Sequence, residues 1–335
     1  MELYIYGDSK TPIVIDTFSS LRWRRKYFEP GEFELHIPVT EDNLQFFKTT
    51  GSAVRRPGRK EYGIIENISI NQEDLTVSGR MASKLLGGYI VPNITFKGTV
   101  DAVIQKIITD NSFGNIVFQA NSGSSVIADI QRRWKDMLTL IQSLAKFSGI
   151  GYRLLYGKIP TLETYSGIDH SINQSENRRI IFSDDFDNLI EPVYTYNDKN
   201  YRTCAYVAGE GDGDDRIWIL VGDWSNRAIY VDARDLRKGD QTDAQYEAQL
   251  RQRGLEKLED FTIIENFEGN TLQVKNMEYL TDWDLGDIVT VQYSKWGIAR
   301  DKRITEIEEI YENNTFDVKP VFGSPFPEKS EIGDG

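Results

Sequence analysis

Apolar residues recur along this chain with two different periods, and the places where the period switches constrain its fold more than any other feature. Between Glu32 and Ile37 polar and apolar residues alternate strictly. Phe33, Leu35 and Ile37 therefore share one face of a strand, and Pro30–Gly31 supplies the turn before it. Ile65–Ile70 and Leu75–Ser78 flank the polar stretch Asn71–Asp74, the pattern of a hairpin. Thr40–Phe47 reads as a short helix capped by Thr40, with Leu44 and Phe47 on one side. From residue 98 the period changes. Val100, Val103, Ile104, Ile107 and Ile108 form an amphipathic stripe, with Thr99 as its N-cap and Asn111 as its stop. A second helix is predicted to carry Ile130, Trp134, Met137, Leu138, Ile141, Leu144 and Ala145, and to end at Gly149 and Gly151. A short strand, Ile116–Gln119, separates the two helices.

Tyr152–Tyr156 and Thr161–Tyr165 then pair around Gly157–Pro160, closing a central α+β stretch at about 94–170. Period two returns at Tyr201–Gly209, Arg216–Val221 and Ala228–Asp232. A third helix starts at a capping box, Thr242-x-x-Gln245, and runs to about Phe261. Its stripe is Tyr246, Leu250, Gly254, Leu258 and Phe261. Further strands are expected at Thr271–Tyr279, Ile288–Tyr293, Arg303–Tyr311 and Thr315–Val321. The Pro- and Gly-rich end, 324–335, reads as a flexible tail. The fold class is α+β and β-rich. A faint repeat accompanies it: Gly51–Gly79 and Gly286–Pro320 share a Gly-x-x-Val opening, a basic turn, an Ile/Glu-rich strand and a final strand ending in Val. Two related β-barrels or two ordinary β-meanders would both give this outline.

Chemistry is conspicuous mainly by what the residues do not assemble. Lys and Arg total 39 against 52 Asp and Glu, a formal charge of −13, which argues against a protein whose main task is gripping phosphate backbones. The one cysteine, Cys204, cannot form an internal disulfide or a thiolate metal site, and it lies in an apolar strand pattern. The two histidines, His36 and His170, lack metal-ligand spacing; His36 is expected on an outward strand face beside Glu34. Glu210–Asp215 offers alternating carboxylates but no Glu at loop position 12, so it reads as a hairpin tip. Asp184, Asp185 and Asp187 form a further acidic group. Glu306, Glu308 and Glu309 read as one solvated strand face. No nucleophile elbow, P-loop or dinucleotide fingerprint occurs. No signal peptide or membrane-length apolar run is visible, so the expectation is a soluble product made without export. No catalytic, cofactor or metal residues are expected.

Two basic clusters stand out. Arg22, Arg24, Arg25 and Lys26 interleave with Trp23, Tyr27 and Phe28, and Arg55, Arg56, Arg59 and Lys60 sit in a loop. On a strand Arg22, Arg24 and Lys26 share one face while Trp23, Arg25 and Tyr27 share the other. A nucleic-acid stripe is one reading. The favoured one is a protein–protein or intra-sheet role, arginines meeting carboxylates. Arg22, Arg24, Arg25, Arg55, Arg56, Arg59 and Lys60 are thus the interface candidates.

The run from Trp23 to Pro38, WRRKYFEPGEFELHIP, resembles the opening signature of a family of phage tail proteins. Later pieces match in family order: Gly63-Ile-Ile-Glu66, Ser78-Gly-Arg80, Val207-Ala-Gly-Glu-Gly211, Leu285-Gly-Asp-Ile-Val289 and Arg303-Ile-Thr-Glu-Ile307. The resemblance spans about 1–323. It implies a tail-tip or baseplate hub, similar to the hub of contractile-phage baseplates and to the N-terminal part of tail-associated lysins. It further implies a homotrimeric ring in which each chain carries two tube-type β-barrel domains, 1–93 and 171–323, the latter with helix 242–261. The α+β insertion 94–170 would lie between them. Such a ring adapts a six-fold tail tube to a three-fold tip. Its implied partners are the tail tube or distal tail protein and a tip or spike protein, with DNA or the tape-measure protein passing through and no membrane insertion by this chain. The implied place is the virion of a phage, prophage or contractile injection system, made in the host cytoplasm. A cell-wall or glycan hydrolase and a glycan receptor-binding module are the alternatives; the chain's end at 335 leaves no room for an appended lytic domain, which lowers the first.

Overall fold

A computed structural model describes residues 2–7, 12–47, 51–271, 277–312 and 315–324. The tail beyond Ser324 lies outside them, as do residues 272–276 of the strand expected at Thr271–Tyr279. The chain divides into two compact units, neither continuous in sequence. The first comprises residues 1–84, 151–195 and 265–335, and the second 85–150 and 196–264. In this division the helices of the central stretch, within 85–150, go with residues 196–264, and 151–195 go with the first unit.

The first unit is built on antiparallel pairing. Strand Ser20–Lys26 pairs with Glu32–Pro38, placing Trp23 opposite Phe33. The ladder continues through Asp74–Met81 and Tyr62–Ile70 to Ala53–Arg55, Leu3–Tyr6 and Ile13–Ile15. On its other edge Ser20–Lys26 pairs with Ile298–Glu312, which also pairs with Thr315–Gly323 and, at its start, with Ile288–Tyr293. The strict alternation in Glu32–Ile37 does what period two requires: Phe33, Leu35 and Ile37 are buried. Pro30–Gly31 makes its turn against a wall. A Cβ at residue 31 would stand 2.0 Å from the Arg24 carbonyl oxygen, so only glycine fits.

These strands enclose two separate apolar cores. Leu21, Trp23, Phe33, Leu35, Val54, Ile65 and Val77 belong to the front core. Tyr27, Phe182, Phe267, Trp283, Val289, Ile304 and Phe322 belong to the back core. Strand Ile298–Glu312 serves both, since Ile304 and Ile307 lie in the back core and Tyr311 packs on the front one.

In the second unit, strand Ile90–Thr99 pairs antiparallel with Ile127–Asp136. Helices Val100–Asn111 and Met137–Ser148 follow these strands directly. Thr99 caps the first as expected, accepting from the Ala102 amide. The second starts later than predicted. Ile130 and Trp134 fit the helical spacing of Met137 and Ile141, but they lie on the strand. The Asp136 side chain accepts from the Thr139 amide at 2.9 Å, and that cap fixes the start. Gly149, at φ +69, ends the helix in the left-handed conformation.

A three-stranded sheet in the same unit orders Trp218–Gly222, Cys204–Ala208 and Ala228–Asp232, the middle pair with Ala228–Asp232 parallel. Its inner face (Ala205, Val207, Val221, Val231) packs on Tyr246 and Leu250 of helix Asp243–Leu258. The capping box is complete: the Gln245 amide donates to Thr242, and the Gln245 side chain accepts from the Thr242 amide. Thr242→Ala should therefore cost about 1 kcal/mol. A chemical-denaturation midpoint for the variant equal to that of the parent would contradict the cap's role.

Candidate functional site

Alternation turns Arg25 inward, between Trp23 and Tyr27, so a guanidinium enters the interior of the first unit. It is 3 % exposed and must be compensated there. Its Nε donates to Glu61 at 2.6 Å, and Nη1 donates to Asp284 at 2.6 Å and to the Tyr279 hydroxyl at 3.0 Å. Tyr279 in turn donates to Glu309 at 2.8 Å. Glu309, 1 % exposed, is ion-paired with Arg56. Arg56 also donates to the Tyr311 hydroxyl at 2.8 Å and lies 5.2 Å from the Trp23 ring centroid. On the other side Arg153 binds Glu163 at 2.6 Å and comes within 3.9 Å of Glu61. Four arginines (Arg25, Arg56, Arg59, Arg153) thus face four carboxylates (Glu61, Glu163, Asp284, Glu309) in one chain of contacts.

The electrostatics follow from this geometry. Burial pushes the Glu309 carboxyl up, but Arg56 and Arg25 outweigh it and hold the group below the ordinary carboxylate value. Asp284 behaves alike: burial raises it, and Arg25 wins. Burial pushes the Tyr311 hydroxyl up to about 12. Glu309 and Asp284 are held in their charged form beside their arginines, so the arrangement can hold segments together. It ties the basic loop 55–61 and strand Ser20–Lys26 to residues 279–284 and 309–311, which come from the far end of the sequence.

The interface candidates separate accordingly. Arg25 and Arg56 are internal, buried by carboxylates of their own chain. Arg24 lies on the outer face and bridges Glu32 at 3.0 Å and Glu308 at 3.2 Å. Arg22 is exposed on that face, opposite Glu34. Arg55 sits 4.1 Å over the Tyr156 ring. Arg59 approaches Glu309 at 3.8 Å, and Lys60 is exposed.

The acidic strand corrects one expectation. Glu306, Glu308 and Glu309 do not share a solvated face. Glu309 stands opposite Trp23 on the inward side with Ile307, because the ladder shifts register between Ile304 and Glu306. Asp184 and Asp185 start a short turn in which Ser183 caps the Asp185 amide. His36 lies between Asp74 at 2.7 Å and Glu34 at 3.1 Å, and Cys204 is buried. Gly213–Asp215 forms the turn at the tip of the hairpin, with the Asp212 side chain 95 % exposed. Among the described residues no three His, Cys, Asp or Glu side chains come together as metal ligands do, and no helix is long and apolar enough to cross a membrane.

Sequence pattern alone does not single out Glu61, Arg153, Glu163, Tyr279 or Asp284 as members of this network. The one available signal was Asp284 immediately before the Leu285-Gly-Asp-Ile-Val289 motif.

The family model described as Siphovirus ReqiPepy6 Gp37-like protein matches residues 7–324. The chain belongs to this family. No curated protein matches it. Among solved structures, this Gp37-like chain is similar to the tail protein from Neisseria meningitidis MC58, at 14 % identity and TM-score 0.63, over 96 % of this chain and 95 % of that one. It is also similar to prophage tail protein gp18 from Listeria monocytogenes EGD-e, at 15 % identity and TM-score 0.60, over 99 % and 97 %. A third, the prophage MuSo2 tail protein from Shewanella oneidensis, gives 13 % and 0.60 over 97 % and 99 %. At such low identity the likeness establishes a shared fold. The Gp37-like chain shares its fold with these phage and prophage tail proteins, in keeping with the resemblance carried by Trp23–Pro38.

Proposed function

We propose that this Gp37-like protein is a non-enzymatic hub of a phage tail tip or baseplate. In this reading it forms a homotrimeric ring that adapts a six-fold tube to a three-fold tip. The observation that carries it is the pair of separate apolar cores within one unit, one fed mainly by the front of the chain and one by the back. The two halves of the sequence repeat fall one on each: Val54, Ile65 and Val77 in the front core, Val289, Ile304, Ile307 and Val318 in the back core. Two tube-type barrels, drawn from 1–93 and 171–323, would let three chains imitate six positions. The neutral-sum network between the cores then acts as a joint that fixes their relative geometry, which a ring needs to close.

The tail tube or a distal tail protein would lie on one side of the ring and a tip or spike protein on the other. DNA or the tape-measure protein would pass through its centre, and the place of action would be the virion tail. The interface duty falls first to the exposed Arg22 and Lys60, with the half-buried Arg24, Arg55 and Arg59 beside them. Native mass measurement and negative-stain imaging of the purified protein test the reading. The expected result is a trimer with a central hole; a strict monomer at high concentration would overturn it. Absence of clearing in cell-wall zymograms is expected as well, and clearing would move hydrolysis to the front.

A further inference from the structure

Trp134 breaks two habits of its surroundings at once. It lies in strand Ile127–Asp136, yet its backbone has φ +51, a region that side-chain-bearing residues adopt only against resistance. It is also 76 % exposed. The cause is local: Arg133 pairs with Asn93 and Lys135 with Val91, which leaves Trp134 facing Pro92, a residue without an N–H to give. Arg133 and Lys135 are exposed on either side of it; neither makes an ion pair within 4 Å among the described residues, and the Lys135 charge reaches Asp235. The exposed run Arg133–Trp134–Lys135, an indole flanked in sequence by two cations and called the knob below, is thus held at Trp134 in a conformation that glycine would adopt more cheaply.

The same unit carries a surface of complementary chemistry. The outer face of the three-stranded sheet shows Trp218 at 60 % and Tyr230 at 61 % exposure, with Trp224 beside them at 72 %. Hydrogen bonds set these rings. Trp224 Nε1 donates to the Tyr206 hydroxyl at 3.3 Å, and Arg216 donates to the Tyr230 hydroxyl at 2.6 Å. The rim is acidic on balance: Asp212, Asp214 and Asp215 are exposed in the turn just before Trp218, against Arg216, which pairs with Asp232, and Arg234, 4.0 Å from Asp212. Helix Asp243–Leu258 meets the inner face of this sheet through Tyr246 and Leu250, and meets strand Ile127–Asp136 through Gln252 and Glu256. Platform and knob thus belong to layers on separate faces of the helix.

We propose that the Arg133–Trp134–Lys135 knob of one copy seats on the Trp218–Tyr230 platform of a second copy of this chain. Charge complementarity points to this occupant: the knob is cationic, the platform rim is anionic, and the chain's net charge of −13 disfavours any contact between copies that does not pair opposite charges. Indole and guanidinium on aromatic rings supply the attraction. Because knob and platform are different surfaces, the contact is head-to-tail, the kind that closes into rings. The proposal rests on the hub reading and deepens it by naming the contact.

Trp134→Gly tests it cleanly, since glycine accepts φ +51 and the fold loses no buried group. Its melting temperature should match or exceed that of the parent. Its self-association, measured by sedimentation, should weaken ~30-fold, the effect of losing an aromatic hot spot. Arg133→Glu/Lys135→Glu should also weaken association, and adding Asp214→Lys/Asp215→Lys to that chain should restore it. A trimer that Trp134→Gly leaves intact overturns the contact but leaves the hub reading standing. Loss in Trp134→Gly without restoration by the charge swap overturns the platform as the seat. A parent protein that stays monomeric overturns the hub reading and the contact with it.

Discussion

Glu309→Ala is expected to destabilise the protein by about 3–5 kcal/mol, because it strands a buried cation. Arg56 is 3 % exposed and held by Glu309, and among the described residues no other carboxylate pairs with its guanidinium. Removing the whole pair is a different matter. Arg56→Met/Glu309→Leu fills the space with apolar groups and should recover most of the loss, since an isosteric apolar pair avoids the desolvation of both charges. The pair also gives stability a pH dependence of definite sign. The folded state holds the Glu309 carboxyl below its ordinary value, so the unfolded chain binds the proton more readily. The contribution is full above the unfolded carboxylate value, near 4.3, and fades as pH falls through the depressed folded value. Urea titrations of parent, single and double variants at pH 7 and in acid measure all three effects. A single variant as stable as the parent at pH 7 would refute the network as a joint.

Trp23→Ala should cost about 3–5 kcal/mol, the loss typical of truncating a buried large aromatic. Trp23 is 1 % exposed, its ring centroid lies 5.6 Å from that of Phe33, and Arg56 stacks over it. The variant therefore opens a cavity in the front core and loosens one wall of the charge network. Arg24, the next residue, provides the contrast. Its side chain is 37 % exposed and its partners Glu32 and Glu308 are 46 % and 16 % exposed, so Arg24→Ala should change stability by no more than about 1 kcal/mol. Guanidinium denaturation midpoints for both variants make the comparison. Equal losses at the two positions would mean that the strand's faces are assigned the wrong way round.

Much of this was legible without coordinates where the cause is local. The strand through Phe33, Leu35 and Ile37, the helix under Thr99, the capping box at Thr242 and the glycine stop at Gly149 all depend on neighbours within a few residues, and each is where the pattern places it. The helix predicted to include Ile130 and Trp134 shows the limit. Helical spacing alone cannot tell that those residues are needed for pairing with Ile90–Thr99, some forty residues earlier.

The sequence by itself determined most of the element types, the strand face that Arg25 shares with Trp23 and Tyr27, and the family, because period, cap chemistry and the Trp23–Pro38 motif are properties of short segments. Tertiary structure alone decided that Arg25 meets Glu61 and Asp284, that Glu309 is buried against Arg56, and that residues 85–150 join 196–264 in one unit. A buried charge is tolerated only where an opposite charge arrives from another part of the chain, and no local pattern records which part that will be.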